Sequence, residues 1–179
     1  MPMLSEVGSN FWDFSLDAPK RRIPLWWETD DYHRIYFKSG RNAIKAICRA
    51  LKKNNTKVLL PIYTCETVIQ PFLDEGWNVD FYRINKDLTV DDDFLKRKVE
   101  SFKPSVVFFH SFFGFDTLKS SLSLIKCLHD SGIVVIEDIT QSLFSKHYIE
   151  FADYYVGSLR KFLAIPDGGV LISKTKLSI

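Results

Sequence analysis

No apolar run in the sequence approaches the ~18 to 20 residues needed to cross a bilayer, so a membrane-spanning role finds no support in it. The opening residues set Glu6, Asp13 and Asp17 among Phe11 and Trp12, with no basic start leading into an apolar stretch, and do not read as a secretory signal. Cysteine is scarce: Cys48, Cys65 and Cys127 lie far apart, odd in number and without a Cys-x-x-Cys pair. That pattern excludes a cysteine-built zinc site and fits a reducing compartment, so the expected location is cytoplasmic. An excess of one charge is missing too. Lys plus Arg number 24 against 22 for Asp plus Glu, a net +2, too weak a field to call for a nucleic-acid partner. No Gly-x-Gly-x-x-Gly follows any apolar run, which argues against a dinucleotide-binding enzyme.

What is present is a length of 179 residues, sufficient for one real core without disulfides or metal, and an aromatic content of 15% that reads mostly as core. From residue 35 onward short apolar runs alternate with amphipathic stretches, the pattern of strands joined by helical crossovers. The spacing predicts helices over 42–53, 65–75, 91–102 and 118–131, and strands over 58–60, 79–83, 106–110, 134–137, 154–157 and 170–173. Most of these strands are apolar on both faces, as in a sheet covered on either side. The expected class is α/β, a three-layer α/β/α domain. The last two strands are separated only by residues 158–169, too short for a helical crossover, so one antiparallel strand is expected in a mostly parallel sheet. Residues 1–36, with Pro2, Pro19 and Pro24 and weak periodicity, read as an arm on the sheet or on a partner; residues 37–179 read as the domain.

In such sheets ligands bind beyond the carboxyl ends of the strands, and four places there carry polar residues. Ser39-Gly40-Arg41 opens a helix; its free N–H groups could hold a phosphate, or Ser39 could be an ordinary N-cap. The strand 134–137 closes on Glu137 and is followed at once by Asp138. Asp138 could accept a hydrogen bond from a protonated ring nitrogen, worth about 1.5 to 3 kcal/mol; it could equally cap a turn or bind metal. Lys161, beside a strand end among small and apolar residues, could lose water and become a neutral amine that attacks an aldehyde, or it could be a solvated surface lysine. Ser158 could reach the same phosphate as Gly40 and Arg41, and Arg160 could add charge. After the strand 58–60, Tyr63 or the Cys65 sulfur could cover the face of a ring, or Tyr63 could sit in the core.

In their order these motifs resemble the DegT/DnrJ/EryC1/StrS family of pyridoxal-phosphate-dependent aminotransferases, most of which act on nucleotide-linked sugars. The resemblance runs from Glu6-Val7-Gly8-Ser9-Asn10-Phe11 and Ser39-Gly40-Arg41 through Leu60-Pro61, Thr64, His110-Ser111-Phe112-Phe113-Gly114 and Glu137-Asp138-Ile139-Thr140-Gln141 to Lys161 and Gly168-Gly169. It implies pyridoxal 5'-phosphate held by Lys161 as a Schiff base, with Asp138 on the pyridine nitrogen and Gln141 on the phenolic oxygen. Gly40 and Arg41 would bind phosphate through their backbone, with Ser39 and Ser158 beside them. It also implies an amino-acid donor and a keto-sugar acceptor. Cys65 stands where the family usually carries a stacking aromatic, and Val156-Gly157-Ser158-Leu159-Arg160 replaces the usual Ser-Phe-His run. Lysine rather than histidine at 161 argues against the family's dehydratase branch. Family members continue into a smaller C-terminal domain, so the expected working unit is a homodimer or a complex with a chain supplying that half. The alternative is a non-catalytic truncated or split-enzyme partner.

Overall fold

The structure, a computed structural model, describes residues 25–52 and 55–176. In chain order the elements are β1 (His33–Phe37), α1 (Gly40–Ala50), β2 (Lys57–Pro61), α2 (Glu66–Asp74), β3 (Asn78–Tyr82), α3 (Asp92–Phe102), β4 (Val106–His110), α4 (Leu122–Asp130), β5 (Val134–Asp138), β6 (Tyr154–Ser158) and β7 (Gly169–Ser173). The strands form one seven-stranded sheet in the order β1-β7-β6-β5-β4-β2-β3. β2, β3, β4, β5 and β6 pair in parallel, and β7 runs antiparallel to both of its neighbours, β6 and β1. The sheet is therefore mostly parallel with a single reversed strand, as the short 158–169 connection implies.

Two apolar clusters cover the two faces. Ala43, Ile44 and Ile47 of α1 and Val68 and Phe72 of α2 pack with Val58, Leu60, Phe108, Ile136 and Val156. Leu95 of α3 and Ile125 and Leu128 of α4 pack on the other side with Leu59, Val107, Phe109, Val135 and Tyr155. Successive strand residues point to opposite faces, which is why runs such as Val106-Val107-Phe108-Phe109 are apolar throughout: each face has its own helices to meet. The same alternation sends Asp138 to the α1/α2 side with Ile136, and Glu137 to the α3/α4 side with Val135.

β1 was not anticipated from the sequence. It pairs along its length with β7, from His33 opposite Ser173 to Phe37 opposite Gly169. Its alternation is hard to read locally because it is an edge strand whose side chains are only partly covered, with Tyr36 62% exposed. Just before it, Trp26 stacks on Tyr148 at 3.9 Å and Trp27 is buried, so this stretch is fastened to the sheet. The rest of the arm, 1–24, lies outside the described residues, as does the motif around Gly8. Helix starts shift by a residue or two from expectation: α1 begins two residues early, directly after its cap Ser39, and α3 one residue late, directly after its cap Asp91, each capping side chain accepting a backbone N–H. The largest shift is α4, which begins at Leu122 after a 3-10 turn at Lys119–Ser121.

Candidate functional site

The carboxyl ends of β5 and β6, the N-terminus of α1 and the start of α2 enclose a cavity of about 510 Å³, within the usual range for a small-molecule site. Its wall includes Ser39, Gly40 and Arg41, then Cys65, Asp138, Ser158 and Lys161, with Thr140 and Arg160. Seven of the eight residues expected from the sequence around the cofactor, all but Gln141, thus meet around one space, although more than 120 positions separate the first from the last.

Gly169 governs how closely the α1 end approaches. A Cβ there would stand 2.2 Å from the Ser39 carbonyl carbon and 2.5 Å from the Gly40 nitrogen, both backbone atoms. Only glycine lets the Ser39-Gly40 peptide lie on β7, and the contact is tied by Gly168 N–H donating to the Lys38 carbonyl at 2.7 Å. Gly40 itself lies close over β6, a Cβ at that position reaching 3.4 Å from the Ser158 Cβ. Ser39 is a true N-cap, its hydroxyl accepting the Asn42 N–H at 3.3 Å. Capping and ligand binding are compatible here, because one cap leaves other first-turn N–H groups without intrahelical partners, and they form the positive end of the helix.

Across the cavity Asp138 is 4% exposed. Its Oδ1 accepts the Thr140 N–H at 2.8 Å, so it also caps a turn. Oδ2 lies 3.4 Å from His110 Nδ1, on the neighbouring strand and in register with Asp138. The other ring nitrogen, Nε2, is 2.7 Å from the Thr64 hydroxyl. Burial holds the His110 pKa below its ordinary value, outweighing the opposite pull of Asp138. A neutral imidazole has one N–H; facing a carboxylate, which can only accept, it belongs on Nδ1, and the Thr64 hydroxyl then donates to Nε2. His110 and Thr64 thus steady the carboxylate from behind. The sequence reading quoted both residues without giving them this task; the available signal was a histidine ending a wholly buried strand.

Lys161 closes a 3-10 turn, Leu159–Lys161, directly after β6, and is exposed while lining the cavity. Its exposure is that of a solvated lysine, and its place on the cavity wall puts its amine within the same space as Asp138. Cys65, at the cap of α2, lines the cavity, and its sulfur lies 2.8 Å from the Thr67 hydroxyl. Tyr63 is neither in the core nor at the cavity: it is 55% exposed and leans on Phe112 at 5.5 Å. Gln141 does not line the cavity. β5 ends at Asp138, the chain turns at Thr140, whose hydroxyl accepts the Ser158 N–H at 3.0 Å, and Gln141 emerges exposed with its Oε1 accepting the Phe113 N–H at 3.2 Å. Phe113 is held there with a left-handed backbone, φ 53°. Among the described residues no group of three or more His, Cys, Asp and Glu side chains is placed to hold a metal ion.

This arrangement of strands, helices and cavity recurs in solved structures. DesV from S. venezuelae superposes with a TM-score of 0.70 at 16% identity, over 83% of this chain and 41% of its own. NtdA from Bacillus subtilis, solved with the cofactor PMP, gives 0.68 at 18% identity over 80% and 34%. Ureidoglycine-glyoxylate aminotransferase from Bacillus subtilis gives 0.62 at 20% identity over 82% and 39%. The chain has the fold of pyridoxal-phosphate-dependent transferases. It spans about two fifths of the length of these structures, between 34% and 41%. No protein-family model and no curated protein matches the sequence.

Proposed function

We propose that the chain holds pyridoxal 5'-phosphate and serves in amino-group transfer. The observation that carries this reading is a single cavity walled by a primary amine, a buried carboxylate and a helix N-terminus. These residues fit the group. A phosphate would sit at the Gly40 and Arg41 end, with the Ser39 and Ser158 hydroxyls beside it. The protonated ring nitrogen would meet Asp138, and the aldehyde would meet the Lys161 amine. Cys65, rather than an aromatic, would lie against the ring, and Gln141 would reach it only by giving up its bond to Phe113.

When bound, the cofactor supplies an aldehyde for covalent attachment and a charged ring that withdraws electrons from the reacting carbon. Asp138 keeps that charge in place, and His110 and Thr64 keep Asp138 oriented. Lys161 Nζ is the attachment point and, when free, the base that takes a proton from the substrate carbon and returns it. The order of the motifs supports an amino-acid donor and a nucleotide-linked keto sugar as acceptor. The groups recognising them would lie in the part of the fold that the structural neighbours have beyond the span matched here, or on a second copy.

The test is borohydride reduction of the protein with pyridoxal phosphate, followed by peptide mass analysis. The cofactor mass is expected on the Lys161 peptide and absent from Lys161→Ala; full trapping in that variant would refute the assignment. A second reading, a non-catalytic partner that keeps the fold, is favoured by Cys65, which lines the cavity where the resembled family usually carries a stacking aromatic. An amino-transfer assay on protein that has trapped cofactor separates the two.

A further inference from the structure

Beyond the same sheet edge, on the α3/α4 side, lies a second and smaller cavity of about 180 Å³, room for roughly six water volumes. One wall is the loop after β4 and the turn leading into α4, with Thr117 and Lys119; the other is the loop after β5, with Lys146, His147 and Tyr148. Two properties set it apart from an ordinary surface dent. The Thr117 side chain is 5% exposed, and its hydroxyl has no hydrogen-bond partner among the described residues. A buried hydroxyl left unpaired costs about 1 to 3 kcal/mol, so a partner at this position would relieve a standing penalty. The charge in the walls is also unbalanced. Asp116 is paired with His147 at 3.3 Å, while among the described residues neither Lys119 nor Lys146 has a carboxylate partner.

We propose that this cavity is a binding site for a phosphate-class oxyanion. Lys119 and Lys146 supply charge from opposite walls, His147 a further donor, and the Thr117 hydroxyl a hydrogen bond it otherwise lacks. Phe115, 68% exposed, and Tyr148 give the rim apolar surface that suits the organic part of a phosphomonoester better than a bare ion. The site is separate from the larger cavity and stands whether or not that one takes pyridoxal phosphate.

The experiment is an amide NMR titration of the full chain with inorganic phosphate and, in a second arm, glycerol phosphate, each against sodium chloride at equal ionic strength. Saturable shifts are expected at Thr117, Leu118, Lys119, Lys146 and His147. The double variant Lys119→Met with Lys146→Met should weaken binding at least tenfold, and Thr117→Val severalfold, while Lys126→Met on the exposed part of α4 leaves it unchanged. Tighter binding of glycerol phosphate would identify an organic phosphate as the ligand, and equal binding the free ion. Shifts reproduced by chloride, shifts confined to Gly40, Arg41 and Ser158, or undiminished binding in the double variant would each overturn the proposal.

Discussion

Replacing Gly169 with alanine tests how the larger cavity is built. The added methyl would stand 2.2 Å from the Ser39 carbonyl carbon, 2.3 Å from its oxygen and 2.5 Å from the Gly40 nitrogen. Carbon contacts settle near 3.5 to 4.0 Å, so the peptide must retreat by roughly 1 Å or more. No flexible side chain is available to give way, since all three atoms are backbone. Overpacking of this kind costs about 1 to 3 kcal/mol and occasionally more, and a purely backbone clash belongs at the upper end. For a chain of this size, 3 kcal/mol lowers Tm by roughly 6 to 12 °C. Gly76→Ala is the control: Gly76, unlike Gly169, has positive φ, 76°, and open space around it, so only the left-handed cost of roughly 1 to 2 kcal/mol applies. The same retreat carries the Gly40 and Arg41 amides away from any phosphate, and a hydrogen bond lengthened by ~1 Å is no longer one. Calorimetry and a pyridoxal phosphate titration should therefore both register Gly169→Ala, with affinity falling about tenfold or more. A Gly169→Ala protein as stable as Gly76→Ala, with undiminished cofactor affinity, would refute the account of the α1 end as a cradle set by this contact.

Asp138→Asn should keep covalent attachment but lower turnover by about 10- to 150-fold, the worth of one charge-assisted hydrogen bond; single-turnover kinetics on trapped-competent protein checks it, and unchanged rates would count against Asp138 as ring partner. Glu137 is fully buried, and burial raises its pKa to about 7 despite hydrogen bonds from Ser111 and the Ile149 N–H. Its folded pKa lies above its unfolded one, so the folded state holds the extra proton between about pH 4.5 and 7. Stability should fall as pH rises through that window, by roughly 3 kcal/mol, and urea titrations of Glu137→Gln should lack the fall. Gln141→Ala removes the acceptor of the Phe113 N–H; hydrogen exchange at Phe113 should speed up by roughly 2- to 10-fold, with no change at amides in β4.

The α/β class, six of the seven strands and the reversed last strand were legible because apolar runs and their spacing are local properties that survive in one dimension. The motifs were legible as well, since a glycine pair, a strand ending in carboxylates and a lysine before a turn each carry their meaning in a few residues. β1 escaped because an edge strand buries too little of either face to leave a clear alternation, and its identity comes from pairing with β7, Phe37 lying opposite Gly169 from 132 positions away in the sequence. Gln141 escaped for a related reason: its side-chain direction depends on how the chain turns after Asp138, and that turn is set by the Thr140 hydroxyl meeting Ser158 of another strand.

The sequence by itself determined the strands and helices and the chemical character of the residues at their ends. Only the tertiary structure decided that Gly40, Asp138 and Lys161 share one cavity, that His110 backs Asp138, and that Lys119 and Lys146 line another. The reason is that side-chain convergence is a property of the crossovers: which strand lies beside which fixes what meets at the edge, and no stretch of sequence holds that information alone.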